Sequence, residues 1–142
     1  MAGARHFREL TCWQLAYELK LEMYRLADQP HVKRDVRFYD QIRDAAASAP
    51  RNIAEGFGRR THVEFARFLD IARGSLNESQ NHLQDAVDRH DLDAAEFKRL
   101  NSLSERASAA VAVCSAICAD RNVKLGTICV HGARRWMHKL RD

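Results

Sequence analysis

The stretch Ser48-Ala49-Pro50-Arg51-Asn52-Ile53-Ala54-Glu55-Gly56-Phe57-Gly58-Arg59-Arg60 carries a proline and two glycines where the surrounding apolar residues keep helical time. Upstream, Phe38, Ile42, Ala45, Ala49 and Ile53 recur at steps of three and four. That is the pattern of one buried helix face. An interior proline costs a helix about 3 kcal/mol and a glycine about 1 kcal/mol, so packing has to offset them. Pro50 removes the hydrogen bond to the carbonyl of Ala46, and the spacing predicts a helix kinked there. The small run Ala45 to Ala49 lets a neighbouring helix come close. Gly56 and Gly58 are expected to end the helix, with Arg59 and Arg60 suiting its C-terminal dipole.

Three more helices are read around this one. The first is expected to start near Thr11, with Thr11 and Gln14 as a capping box. It carries two apolar stripes, one of Trp13, Tyr17, Leu21 and Tyr24, the other of Cys12, Ala16, Leu19, Met23 and Leu26. So wide an apolar surface points to burial on two sides, the second against another subunit. A polar connection over Asp28–Lys33 leads to the second helix, which begins near Asp35. Thr61 with Glu64 opens the third helix, whose seam is Phe65, Leu69, Ala72, Leu76, Ser79, Leu83 and Ala86. Asp93 with Glu96 opens the fourth, with the seam Leu100, Leu103, Ala107, Ala110, Cys114 and Ile117. Steps alternating three and four, joined by short connections, predict an all-α, antiparallel up-down four-helix bundle.

Composition sets the remaining bounds. The 142 residues suffice for one domain with its own core. No apolar run approaches the roughly 20 residues of a membrane span, and the N-terminus leads into no signal-type segment. A cytoplasmic protein is expected, without membrane contact. The net charge of +4 is unevenly placed. Beyond residue 120, six cations (Arg121, Lys124, Arg134, Arg135, Lys139, Arg141) face Asp142 alone, which leaves the first 120 residues at −1. The chain therefore divides into a bundle domain, 1–120, and a basic C-terminal tail, 121–142. In the tail, Ala133, Trp136, Met137 and Leu140 form a short basic amphipathic pattern. Trp136 suits base stacking, insertion at a membrane surface, or pinning of the tail; pinning or disorder fits best a tail without its own core.

Several chemistries have no support. No glutamate has a histidine three residues later, as a bundle di-iron site requires. HExxH is absent. Gly56 and Gly58 lack a third glycine at dinucleotide-loop spacing, and there is no Gly-x-Ser-x-Gly elbow. The cysteines Cys12, Cys114 and Cys118 fall at apolar helical positions, and Cys129 completes no metal or disulfide spacing. The seven histidines show no repeated metal spacing. No enzyme, cofactor or metal is expected.

Two polar sets stand out. Asn52, Glu55 and Glu78 are expected to serve structurally, hydrogen-bonding backbone or neighbouring helices near the proline. Arg51, Glu55 and Arg59, at i, i+4 and i+8, fit an ion-pair ladder. Alternatively Arg51, Arg59, Arg60 and Arg67, with Arg73, converge into a phosphate-binding patch.

The chain resembles the four-helix bundle family named for proteins encoded in intervening sequences of bacterial 23S rRNA genes. The residues that carry the resemblance are Phe7, Leu10, Trp13 and Ala16; Gln41-Ile42-Arg43, Ala46, Ser48 and Pro50; the block Asn52 to Arg59; and Arg67-Phe68-Leu69, Ile71-Ala72, Gly74-Ser75 and Glu78. It covers roughly residues 7–119. Ala49 and Arg51 depart from the isoleucine and serine usual around Pro50, and the tail has no family counterpart. The resemblance implies a homo-oligomeric ring, commonly a pentamer, and no established catalytic activity. More distant relatives of this architecture are accessory proteins of retroelement reverse transcriptases, where a basic ring surface meets nucleic acid and the polymerase. The expected partners are therefore further copies of the chain, RNA or DNA, and a nucleic-acid enzyme. The alternative is a scaffold oligomer with no nucleic-acid role, its arginines making intersubunit ion pairs.

Overall fold

A computed structural model describes residues 3–120. The tail pattern around Trp136 and the residue Cys129 lie outside the described residues. A 3-10 turn, Phe7–Glu9, precedes five helices: α1 (Thr11–Ala27), α2 (Pro30–Lys33), α3 (Val36–Phe57), α4 (His62–Asp88) and α5 (Ala94–Ala119). Among the described residues there is no strand. The four long helices are those expected. The connection at Asp28–Lys33 contains a helical turn, α2, with Pro30 in its first position, where a missing N–H costs nothing.

The helix starts follow local chemistry, with one correction. Asp35, Thr61 and Asp93 each accept a backbone N–H three residues on, from Phe38 (3.1 Å), Glu64 (3.1 Å) and Glu96 (2.8 Å). The expected capping box at Thr11 and Gln14 is not formed. Leu10 is the N-cap and Thr11 is already helical. The 3-10 turn runs directly into α1, and Gln14 Nε2 reaches back to the Arg8 carbonyl at 2.8 Å instead.

Cross-helix contacts fix the directions. Arg43 on α3 lies 3.8 Å over the ring of Tyr24 on α1, while Tyr39, earlier on α3, bonds Asp28 just past α1. On α3 and α4, Ser48 meets Ser75, and Phe38 near the start of α3 meets His82 near the end of α4. Gln80 meets Asn101 between α4 and α5, and Arg99 near the start of α5 reaches Glu22 on α1. Each neighbouring pair is antiparallel, in the cyclic order α1, α3, α4, α5, so α1 and α4 lie diagonally across the bundle.

The core is the one the periodicity marks on α3 and α4: all five α3 positions and the whole α4 seam are buried. On α5 the seam shifts. Val111 and Cys118 are buried, while Ala110 and Ile117 are only half-buried. The heptad reading drifts by one residue there, because a straight 3.6-residue helix does not keep a strict seven-residue repeat. On α1 the stripe of Cys12, Ala16, Leu19, Met23 and Leu26 enters the core. Tyr17 and Leu21, on the other stripe, remain 38% and 40% exposed.

α3 continues as one helix through Pro50, which is buried. Gly56 does not end the helix. It lies inside it, against Phe65 and Phe68 of α4, and Gly58 with φ −76° is the C-cap. The sequence marks Gly56 correctly as special; the reason is close helix approach.

Candidate nucleic-acid interface

The topology gathers the C-terminal part of α3, the start of α4, the start of α1 and the end of α5 at one end of the bundle. The four arginines proposed for the patch all lie toward that end and are all exposed. They do not form one cluster. Arg59 is tied to Glu55 by a 2.7 Å ion pair and lies over the Phe68 ring at 4.9 Å. Arg67 lines a shallow groove between α4 and α5 with His62, Val63, Ala66, Asp70 and Cys118. Arg60 sits in the turn between α3 and α4, and Arg51 lies two turns back along α3. Among the described residues Arg51, Arg60, Arg67 and Arg73 have no carboxylate within ion-pair distance. The expected ladder thus exists only as its lower rung, Glu55 to Arg59.

Two arginines toward the opposite end are each doubly paired. There Arg99 holds Glu22 at 2.9 Å and Glu96 at 2.8 Å, and Arg89 holds Asp35 at 3.0 Å and Asp91 at 3.1 Å. The hydrogen bond from Arg99 holds the Glu22 carboxyl below its ordinary ionisation range, against a smaller opposing effect of burial. Asp35 is lowered first by the Phe38 N–H it caps and then by Arg89. Arg34 and Arg37, also at that end, are exposed without an ion pair among the described residues, and Arg59 at the patch end is paired, so the ends differ in degree: Arg51, Arg60 and Arg67, with Arg5 and Arg8, make the patch end the richer in unpaired guanidinium groups. Which arginines are paired is decided by the topology and not by the sequence around each one. Sequence reasoning missed Arg5 and Arg8, both exposed, which the 3-10 turn brings to the same end.

Of the polar residues singled out, only Asn52 has the expected structural part. Its Nδ2 donates to the Ser48 carbonyl at 2.8 Å and to Ser48 Oγ at 3.1 Å. Ser48 Oγ lies 2.7 Å from Ser75 Oγ, which donates to the Ile71 carbonyl, and Ser79 donates to the Ser75 carbonyl. This ladder stitches α3 to α4 where the small residues let them approach. Glu55 and Glu78 do not join it. Both are exposed: Glu55 serves Arg59, and Glu78 lies 3.7 Å from His82 on its own helix. Their positions on α3 and α4 point them away from the seam. Ser48 and Ser75 were legible only as small residues, since serine's preference for back-bonding in helices does not say which neighbour it meets.

Fold and surface together define a class: an all-helical bundle with a set of exposed, unpaired arginines at one end and the doubly paired Arg89 and Arg99 toward the other. Among its described residues no three His, Cys, Asp or Glu side chains gather to hold a metal, and no helix is long and apolar enough to cross a membrane. Residues 8–113 match the model of the family described as 23S rRNA-intervening sequence protein. The chain belongs to that family. No curated protein matches it.

Proposed function

We propose that this chain is a non-enzymatic, cytoplasmic, ring-forming homo-oligomer that contacts nucleic acid, or a nucleic-acid enzyme such as a reverse transcriptase, through the arginines at one end of the bundle. The observation that carries this reading is the set of exposed arginines at one end of the bundle that have no carboxylate partner among the described residues. Among the described residues Arg51, Arg60 and Arg67 are exposed with no carboxylate within ion-pair distance, whereas Arg89 and Arg99 toward the other end each hold two. Unpaired guanidinium groups suit phosphate oxygens, which they grip bidentately with little sequence reading. Asp120, the last described residue, lines the groove that holds Arg67, and the sequence beyond it carries a surplus of five positive charges.

A second reading is a scaffold oligomer with no nucleic-acid role. The exposed apolar side chains favour it: Tyr17 and Leu21 on α1, and Val63 and Ile71 on the diagonally opposite α4, the latter two 72% and 51% exposed. Two unlike apolar faces on opposite sides suit head-to-tail contacts that close into a ring, a pentamer among the possibilities.

Anisotropy of labelled structured RNA and duplex DNA, titrated with salt, separates the two. Phosphate docking gives affinity that falls steeply with salt, with a log–log slope reduced by about one for each contacting arginine replaced. Arg51→Ala/Arg60→Ala/Arg67→Ala lowers affinity without lowering the oligomer's mass in sedimentation. Salt-insensitive or absent binding by the intact oligomer rejects the reading. Loss of mass in the arginine variant supports the scaffold. Loss of binding only on truncation after Asp120 moves the contact to the tail.

A further inference from the structure

An unbroken series of rings and cations runs from the 3-10 turn along the outer side of α1 and across to α3. Arg8 lies 5.3 Å over Phe7, whose ring meets Trp13 edge-on at 5.3 Å. Trp13 stacks on Tyr17 at 4.8 Å with an interplanar angle of 13°. Lys20 Nζ lies 5.5 Å from the Tyr17 ring and 5.3 Å from the Tyr24 ring. Arg43 is placed between Tyr24 (3.8 Å) and Tyr39 (5.2 Å), and Lys33 covers the far ring, Tyr39, at 5.7 Å. From Trp13 to Tyr24 the series extends about 16 Å along the helix, at the 1.5 Å rise per residue.

We propose that this strip binds a single strand of nucleic acid, its bases stacking on Tyr17 and its neighbouring rings and its phosphates meeting Lys20, Arg43 and Arg8. The proposal extends the nucleic-acid reading above, but to a different surface and a different mode of contact.

Three observations argue for a strand. The strip combines stacked aromatic rings with flanking cationic groups, the combination that holds unpaired bases and their backbone together. Lys20 has no carboxylate partner among the described residues, and the ion pairs of Arg43 (3.6 Å) and Lys33 (3.8 Å) converge on the single exposed carboxylate of Asp28. The cationic surplus is thus matched by phosphate. Lys20 also occupies the ring faces only weakly. An exposed cation–aromatic contact is worth less than the stacking of a base on the same ring, so a base displaces the ammonium, which then turns to the adjacent phosphate. A second copy of this chain is a poorer occupant: burying Lys20 and Arg8 in a dry interface is costly unless the partner supplies acids, whereas a strand brings a phosphate with each base.

The test uses the full chain carrying Trp136→Phe, so that Trp13 is the sole tryptophan emitter, titrated with a short labelled oligouridylate and with a duplex of equal length. The strip predicts tighter binding of the single strand, quenching of Trp13 emission, and about tenfold weaker binding in Tyr17→Ala, corresponding to the loss of one stacked base. Tyr17→Phe retains the ring and the affinity. Tyr17 is exposed, so circular dichroism should show both variants folded. Arg51→Ala/Arg60→Ala/Arg67→Ala leaves the quench in place, which separates this surface from the arginine end. Equal or tighter duplex binding, an unquenched Trp13, or a Tyr17→Ala variant that loses oligomer mass and no affinity overturns the proposal; the last outcome assigns the strip to a subunit contact.

Discussion

The hydroxyl oxygens of Ser48 and Ser75 lie 2.7 Å apart across the seam between α3 and α4. Each is held on a second side, Ser48 by the Asn52 amide and Ser75 by the Ile71 carbonyl. Removing one hydroxyl therefore deprives its partner of one bond of two. Ser75→Ala is expected to destabilise the protein by about 1 kcal/mol, the usual net value of a hydrogen bond that leaves its partner otherwise served. The double variant Ser48→Ala/Ser75→Ala should cost less than the two single losses combined, because their shared bond is counted twice. Urea denaturation of the four proteins measures the coupling; strict additivity would show that the pair contributes nothing.

Two glycines in helices are expected to respond oppositely to alanine. A methyl group on Gly56 would lie 2.5 Å from Phe68 Cβ and 2.8 Å from Phe65 Cδ2. Phe68 Cβ cannot swing away without moving α4, so Gly56→Ala is expected to cost about 1–3 kcal/mol as an overpacked site. Gly74 is exposed, and nothing lies within 4 Å of an added methyl group. Gly74→Ala should stabilise by about 0.5–1 kcal/mol through helix propensity and chain entropy. Thermal melts of both variants decide it, and a stabilised Gly56→Ala would refute the close approach of α3 and α4.

How much of this was readable in the sequence varies from residue to residue. The seams of α3 and α4 were legible because burial imposes the period of the helix on the sequence. Three caps were legible because Asp35, Thr61 and Asp93 each precede an apolar pattern at the right offset. Thr11 misled because the same signature occurs where an upstream turn has already begun the helix. Gly56 was marked but misread, since a glycine that ends a helix and one that admits a neighbour look alike until the neighbour is placed. The arginine end was legible as composition alone. Whether a guanidinium is paired depends on residues from other helices, as with Arg99 and Glu22, which are 77 positions apart. The ring-and-cation strip stayed hidden for the same reason, because Tyr39 and Arg43 join the α1 series only through the packing of α3.

His82 is buried on α4, with neither ring nitrogen hydrogen-bonded; Glu78 and Asp85 stop at 3.7 and 3.8 Å. Its ring packs edge-on against Phe38 at 6.2 Å. A side chain that fills space with unsatisfied polar atoms is improved by an apolar one of similar size. His82→Leu is therefore expected to raise stability by about 1 kcal/mol at neutral pH, read as a higher urea midpoint with an unchanged slope. A lower midpoint would mean that the two carboxylates do hold the ring.

Acid should loosen the end of the bundle that the ion pairs close. The folded protein holds Glu22 below its ordinary value of 4.5, through Arg99 first, and Asp35 below its ordinary 3.8, through the Phe38 N–H and then Arg89. A carboxyl with a depressed folded pKa contributes stability that is complete above its unfolded pKa and lost as pH falls through the folded one. The contribution is therefore constant at neutral pH, begins to fall below about pH 4.5, and is gone once both groups are protonated in the folded state. Arg99 is half exposed, so solvent screening keeps the effect small. Arg99→Ala is expected to cost about 0.5–1 kcal/mol at about pH 7, and the gap between variant and parent should close as the pH falls below the ordinary carboxylate range and Glu22 is protonated in the folded state. Glu22→Gln should flatten the same acid limb while leaving the part due to Asp35. Urea midpoints across this range test the sign directly: a gap that widens toward acid would mean that Arg99 acts through the packing of its alkyl chain and not through the Glu22 carboxylate.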